Sequence, residues 1–423
     1  MRPAIRCTIY SLPLMVSAIG TLAFLAGCGA GGTSTSTNNG GGSGSTWTGG
    51  GDGVWRRDAK YGEAVTFDPC NAHQPGSGEY HYHVNPVCLR YQLGDNIQKL
   101  GSNDLTPNYT EKTTGLVHSP ILGYAYDGYP IYGPYGYSTA NNAGSGVRRM
   151  VSSYALRTDN TTTRTSLPGW AAVAQGFSTT LATYSLTATQ YGPAVSTTYP
   201  LGRYIEDYEY TAGSGDLDQY NGRYCVTPDF PGGTYAYFIT IDSTGAPAFP
   251  YILGLQFNGT VNGGKVTSIT ETVTNYFLNH LMVGNSNSTP QINGWLTRNS
   301  SQYATIQNGT GTTATTWTGN TSPVYADVQA VAYSANYVYV TMSGMASHIM
   351  GPWYLNAAHT QPFPNYPTNQ NAIARIPLTA TSATTKTQTG GGAQGRWVNG
   401  VSVFNMEDFF SWSYTQQQDV GGG

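Results

Sequence analysis

The polar and apolar positions of this chain alternate in short runs far more often than they recur at helical spacing. Glu79-Tyr80-His81-Tyr82-His83-Val84 shows the pattern best. In an extended strand successive side chains leave on opposite faces, so His81 and His83 are predicted to share one face and Tyr80 and Tyr82 the other. Residues 231–242, containing Thr234-Tyr235-Ala236-Tyr237-Phe238-Ile239, predict the clearest single strand. Residues 328–342 alternate as well, for example at Val338-Tyr339-Val340-Thr341. The tyrosine-rich run from His118 to Tyr137 is cut by Asp127-Gly128 and Gly133-Pro134, turn signals that predict short buried strands. Residues 157–202 are rich in Thr and poor in charge and read as loops. Residues 258–290 are Gly/Asn/Ser/Thr-rich around one apolar patch and read as a connector. No repeat of fixed period is present. The pattern predicts a mainly β protein, a single large sandwich-like domain with long loops. Its two blocks span residues 52–257 and 291–415, followed by a glycine tail at 416–423.

Composition sharpens this picture. Only 10% of residues are charged, while the 423-residue chain holds 33 tyrosines and 54 glycines. Branched and aromatic side chains suit a pleated surface, and 13% aromatics argue against wholesale disorder. Residues 1–27 read as a secretion signal, with Arg2 and Arg6 ahead of an apolar segment. The segment closes on Leu25-Ala26-Gly27-Cys28, which resembles a bacterial lipobox and so implies lipidation at Cys28; the alternative is an ordinary signal peptide cut at a small residue. Residues 28–51 read as a flexible Gly/Ser/Thr tether. The expected location is the cell envelope, as an outer-membrane or cell-surface lipoprotein held to the membrane through its lipid only. The formal charge of −3 falls to near −5 once Arg2 and Arg6 are lost, which gives no reason to expect a nucleic-acid partner.

An oxidising compartment changes what the cysteines mean. Removing Cys7 and Cys28 leaves Cys70, Cys88 and Cys225. Cys70 and Cys88 are the expected disulfide, closing a loop around His73, His81 and His83 and stabilising by roughly 3 kcal/mol in the chain-entropy model. Cys225 then reads as a small buried hydrophobe.

The candidate chemistry centres on histidine. His73, His81, His83, His118 and His348 sit in recognisable landmarks, and two imidazoles on one strand face are a start for a metal site. Copper or zinc is the expected cofactor. The competing reading has these rings hydrogen-bonded one by one to tyrosines and carbonyls. Met342, Met345 and Met350 would suit copper or form a buried stripe. Asp216, Asp218 and Asn221 before Gly222 offer oxygen ligands for calcium, against a plain acidic turn in which an aspartate pairs with Arg223. No Gly-x-Ser-x-Gly elbow, phosphate-cradling loop or Cys-x-x-Cys pair is present. Exposed tyrosines and Trp353 support a rival function, a non-enzymatic surface module that stacks on carbohydrate.

Asn71-Ala72-His73, the Tyr80–His83 run with Pro86 and Cys88, the segment from His118 to Tyr137, Arg149-Met150, the run from Asp216 to Arg223 and the strand from Tyr235 together resemble the YHYH-domain proteins. Ser347-His348 with Gly351-Pro352-Trp353, and Asn399-Gly400-Val401 with Phe404-Asn405, also resemble family sequence. In the family the His348 block is expected ahead of the YHYH run, and here it follows. The simplest reading is a circular permutation, which predicts that residues 291–415 pack directly on 52–255; the alternative is a tandem of two partial copies. The resemblance implies a shared fold and candidate positions, and names no reaction.

Overall fold

The computed structural model describes residues 49–421, apart from 160, 285, 298–300, 308–313 and 317–322. The signal segment, Cys28 and residues 28–48 of the tether lie outside the described residues, as do 422–423. The chain is mainly β, as the alternation predicts. Among the described residues an eight-stranded and a six-stranded sheet dominate. No helix there is long and apolar enough to cross a membrane.

The eight-stranded sheet runs Gly222–Cys225, Thr234–Phe238, Pro130–Tyr132, Ile121–Ala125, Gly395–Trp397, Ser402–Val403, His81–Tyr82, Ala72–His73. Thr234–Phe238 is buried at four of its five positions and pairs in parallel with Pro130–Tyr132, as strands covered on both faces do. Two strands from the C-terminal block sit in the middle of this sheet. Gly395–Trp397 pairs with Ile121–Ala125, and Ser402–Val403 runs parallel to His81–Tyr82. The late block therefore completes the sheet that carries the YHYH run.

The six-stranded sheet is antiparallel throughout. Its centre is the hairpin of Val328–Tyr333 and Tyr337–Met342, flanked by Ala372–Pro377 and Thr274–Leu278. Gly264–Val266 and Leu281–Met282 form its edges. The segment read as a connector thus supplies three strands of this sheet, because the alternation of Thr274-Asn275-Tyr276-Phe277-Leu278 outweighs the turn-rich composition around it. The glycine tail also differs from expectation. Gln418–Gly421 pairs with Glu407–Ser413, which in turn pairs with Arg56–Asp58. Both ends of the described chain lie in this small sheet, with the Gly50 amide donating to the Phe409 carbonyl.

One contiguous core joins the two large sheets, with Tyr82, Tyr124, Tyr237 and Val403 in the same cluster as Val331, Val340 and Ile376. Met342, Met345 and Met350 are fully buried in it, so the methionines serve as packing. Cys225 is a buried free cysteine in a smaller core.

Glycine marks where the blocks interlock. A side-chain carbon on Gly123 would stand 2.6 Å from the Arg396 carbonyl oxygen and 3.1 Å from Trp397 Cα. Gly123→Ala is therefore expected to destabilise by about 1–3 kcal/mol through overpacking. A lowered urea midpoint at unchanged slope is the expected reading; a midpoint equal to that of the wild type contradicts the interleaved sheet.

Candidate metal centre

The Ala59–Glu63 helix is short, and Asp58 caps it by accepting from the Tyr61 amide. Gly62 lets it lie against a buried ion pair, since a side chain there would run into Asp408 and Arg57. The helix tightens into the 3-10 turn Ala64–Thr66, which leaves Glu63 and Thr66 pointing inward. Downstream, Ala72–His73 pairs antiparallel with His81–Tyr82 so that His73 stands directly opposite His81. Cross-strand partners share a face, and His83, two residues on, joins them. The predicted alternation is what the structure contains: the three imidazoles gather on one face, and Tyr80 and Tyr82 on the other.

The three rings are oriented from outside. His81 Nδ1–H donates to the Glu79 carbonyl (2.8 Å) and His83 Nδ1–H to the Asn405 carbonyl (2.6 Å). Thr66 gives its hydroxyl proton to the Glu63 carbonyl, so its oxygen accepts from His73 Nδ1–H at 2.7 Å. In each neutral ring the proton on Nδ1 leaves a lone pair on Nε2. Those three Nε2 atoms converge. His81 and His83 face each other at 3.0 Å, and Glu63 Oε2 lies 3.1 Å from His83 Nε2 and 3.4 Å from His73 Nε2. One ligand atom from each of the three histidines lies within 4.8 Å of the others. Donors at about 2.0–2.1 Å around a tetrahedral ion stand roughly 3.3 Å apart, close to these separations.

The cluster is dry. Its four side chains are buried, His81 at 0% exposure, and Phe404 stacks on His81 at 3.8 Å while Phe67 covers His73 and His83. Burial and the neighbouring imidazoles hold His81 well below the usual histidine range. Burial likewise lowers His73 despite Glu63. At His83 burial opposes the charged form, but the hydrogen bond and charge of Glu63 outweigh it and raise the pKa. Burial also works to raise Glu63, and the charges and hydrogen bonds of His73 and His83 overcome it and leave its pKa well lowered. Of the three imidazoles, His83 is the one whose protonated form its surroundings favour, through Glu63.

His348 and His118 do not join this cluster. His348 lies across the strand, where its Nε2 accepts from the Tyr82 hydroxyl at 2.6 Å and its Nδ1 is 3.3 Å from Cys70 Sγ. Burial pushes it down to about 4. Tyr80 donates to Asp68, whose carboxylate also accepts the Cys70, Ala72 and Gly351 amides. Cys70 and Cys88 are joined by a disulfide that closes the loop around the three clustered histidines. His118 sits among Tyr132, Tyr137 and Phe238, with Nδ1 donating to the Ser119 carbonyl.

Of the expected calcium ligands, Asp216 and Asp218 spend their oxygens on the protein itself, while the buried Oδ1 of Asn221 has no hydrogen-bond partner. Asp216 forms a two-pronged pair with Arg148 and accepts the Val151 amide. Asp218 accepts from the Tyr220 and Gly222 amides and the Tyr235 hydroxyl. Asn221 donates to the Phe238 and Ile252 carbonyls. Trp353 is 3% exposed with its indole N–H on the Ala72 carbonyl, so it presents no face to a sugar. Sequence reasoning missed Glu63, Thr66 and the Asn405 carbonyl. Only Glu63 had a signal, as a carboxylate ten residues ahead of His73 behind an N-capping aspartate.

A family model described as YHYH protein matches residues 17–250. The chain belongs to the YHYH protein family. No curated protein and no solved structure matches it. In this YHYH protein the matched span holds Glu63, Thr66 and all three clustered histidines, while Asn405 and Phe404, which complete the cluster, lie beyond it.

The protonation pattern has a pH signature in chelator-treated protein. His83, raised above 6.5, contributes stability that is complete below that value and is lost as pH rises through its folded pKa. Glu63, lowered from 4.5, contributes stability above that value that is lost as pH falls through its depressed pKa. His73 and His81, both lowered from 6.5, cost stability as pH falls below it. Thermal midpoints against pH should therefore decline on the alkaline side in the wild type, and that decline should vanish in Glu63→Gln. An unchanged profile in the variant contradicts the Glu63–His83 pairing.

Proposed function

We propose that this is a lipid-anchored cell-envelope protein whose centre holds a transition-metal ion, zinc or copper, on Nε2 of His73, His81 and His83 with Glu63 as the fourth donor. The observation that carries this reading is the inward convergence of three imidazole lone pairs and a carboxylate oxygen, all buried, with every Nδ1–H committed to an oxygen outside. Lone pairs packed this closely in a low-dielectric interior repel unless a cation stands between them. Imidazole suits both metals, and an approximately tetrahedral set of three nitrogens and one oxygen suits zinc best. Four protein donors in a dry site are the composition of a structural centre. On this reading the ion fastens the Ala59–Glu63 helix to the YHYH strands, and the outer hydrogen bonds fix ring orientation. His118 and His348 take no part.

Metal analysis of the purified mature chain tests the proposal. One equivalent of zinc or copper is expected, absent from a His81→Ala/His83→Ala variant. Thr66→Val should keep the stoichiometry but bind about 10–100-fold more weakly, as loss of an outer-shell partner does. A metal-free wild type, or equal metal in the double variant, defeats the reading. Metal-free protein retained on polysaccharide would favour a carbohydrate-binding module instead.

A further inference from the structure

The opposite face of the same strand carries a second set of ligand types. Cys70, Cys88 and His348 each offer a donor atom within 4.8 Å of the others. We propose that, once its disulfide is reduced, this trio is a separate site for a thiophilic cation of the zinc or copper(I) class, so that the Cys70–Cys88 loop exchanges a covalent bond for a metal. Two sulfurs bound to one ion at 2.3 Å and a tetrahedral angle lie about 3.8 Å apart. The Cα atoms of the two cysteines are 5.1 Å apart, so side-chain rotation alone can separate the sulfurs that far. His348 Nδ1 already stands 3.3 Å from Cys70 Sγ. At present Nδ1–H faces the Ile349 carbonyl at 3.1 Å and Nε2 accepts from Tyr82. To ligate through Nδ1 the ring proton must move to Nε2 and the Tyr82 hydroxyl must turn, so that its oxygen 2.6 Å away accepts from Nε2–H. Tyr82 would then hold the ring as outer-shell partners of metal-bound histidines do. Both cysteines are almost fully buried, whereas His348 is only half-buried and offers the way in.

The chemistry balances with an external reductant. A phosphine takes up the oxygen of one water, and its two electrons with the two water protons convert the S–S bond to two thiols. The incoming cation then displaces both thiol protons, because thiolate is the ligand form. Soft sulfur donors select zinc and copper(I) over harder cations. This inference does not rest on the histidine–glutamate centre, which contains no sulfur.

Cobalt(II) titration of the phosphine-reduced mature chain tests it, because only sulfur ligation gives thiolate-to-cobalt charge-transfer absorption. The expected result is a sulfur band that saturates at one equivalent in reduced protein. It should be missing from the oxidised protein and from Cys70→Ser/Cys88→Ser. His348→Ala should weaken it by more than about tenfold, since a ligand counts for at least as much as an outer-shell partner. The proposal is overturned if reduced protein shows no sulfur band. It is equally overturned if His348→Ala binds with wild-type affinity, which is also what a reduction-unfolded chain with three free thiols, Cys225 among them, would show.

Discussion

Three imidazole nitrogens face one another inside this protein, an arrangement that a positive charge between them stabilises in a low-dielectric interior. The Thr66 hydroxyl and the carbonyls of Glu79 and Asn405 fix the orientation of His73, His81 and His83, and Glu63 closes the ring of acceptors. A proton on His83 satisfies part of this arrangement, and the proposed metal ion would satisfy all of it. Much of the surrounding structure serves the constraint. The capped helix delivers Glu63, the cross-strand register sets His73 opposite His81, and the disulfide draws together the ends of the loop that bears them.

The same economy extends to the rest of the fold. A chain with few charges places many of them inside, as at Arg164–Asp207 and Arg90–Asp95, where all four side chains are fully buried. Removing one partner of such a pair leaves an uncompensated charge, so these bridges fix geometry more than they add net stability. Arg164 also binds the carbonyls of Pro193, Tyr199 and Pro200, tying down loop backbone that has no strand to pair with. The insertion of Gly395–Trp397 and Ser402–Val403 into the YHYH sheet has a parallel effect on the site: it brings Phe404 and Asn405 over histidines more than 320 positions away in sequence.

What could be read from the sequence follows from the range of each interaction. Period-two alternation placed His81 and His83 on a common face, because that depends on neighbours alone. Glu63 was harder to see, because its part depends on how a five-residue helix docks. The Asn405 contribution is a backbone carbonyl and leaves no trace in residue type. His348 shares the region with the cluster, yet Tyr82 draws it to the far side of the strand. Asp216 looked like an oxygen ligand because its true partner, Arg148, lies 68 residues earlier in the chain. The strand Thr274–Leu278 was hidden by turn-forming neighbours, although its own alternation is plain.

The most direct test is a crystal structure of protein purified without chelator, with anomalous scattering recorded on either side of the zinc and copper edges. The account predicts one edge-specific peak inside the cluster, about 2.0–2.2 Å from Nε2 of His73, His81 and His83 and from a Glu63 carboxylate oxygen. Absence of any peak, with His83 hydrogen-bonded to Glu63 and the other two rings turned toward separate partners, would contradict it.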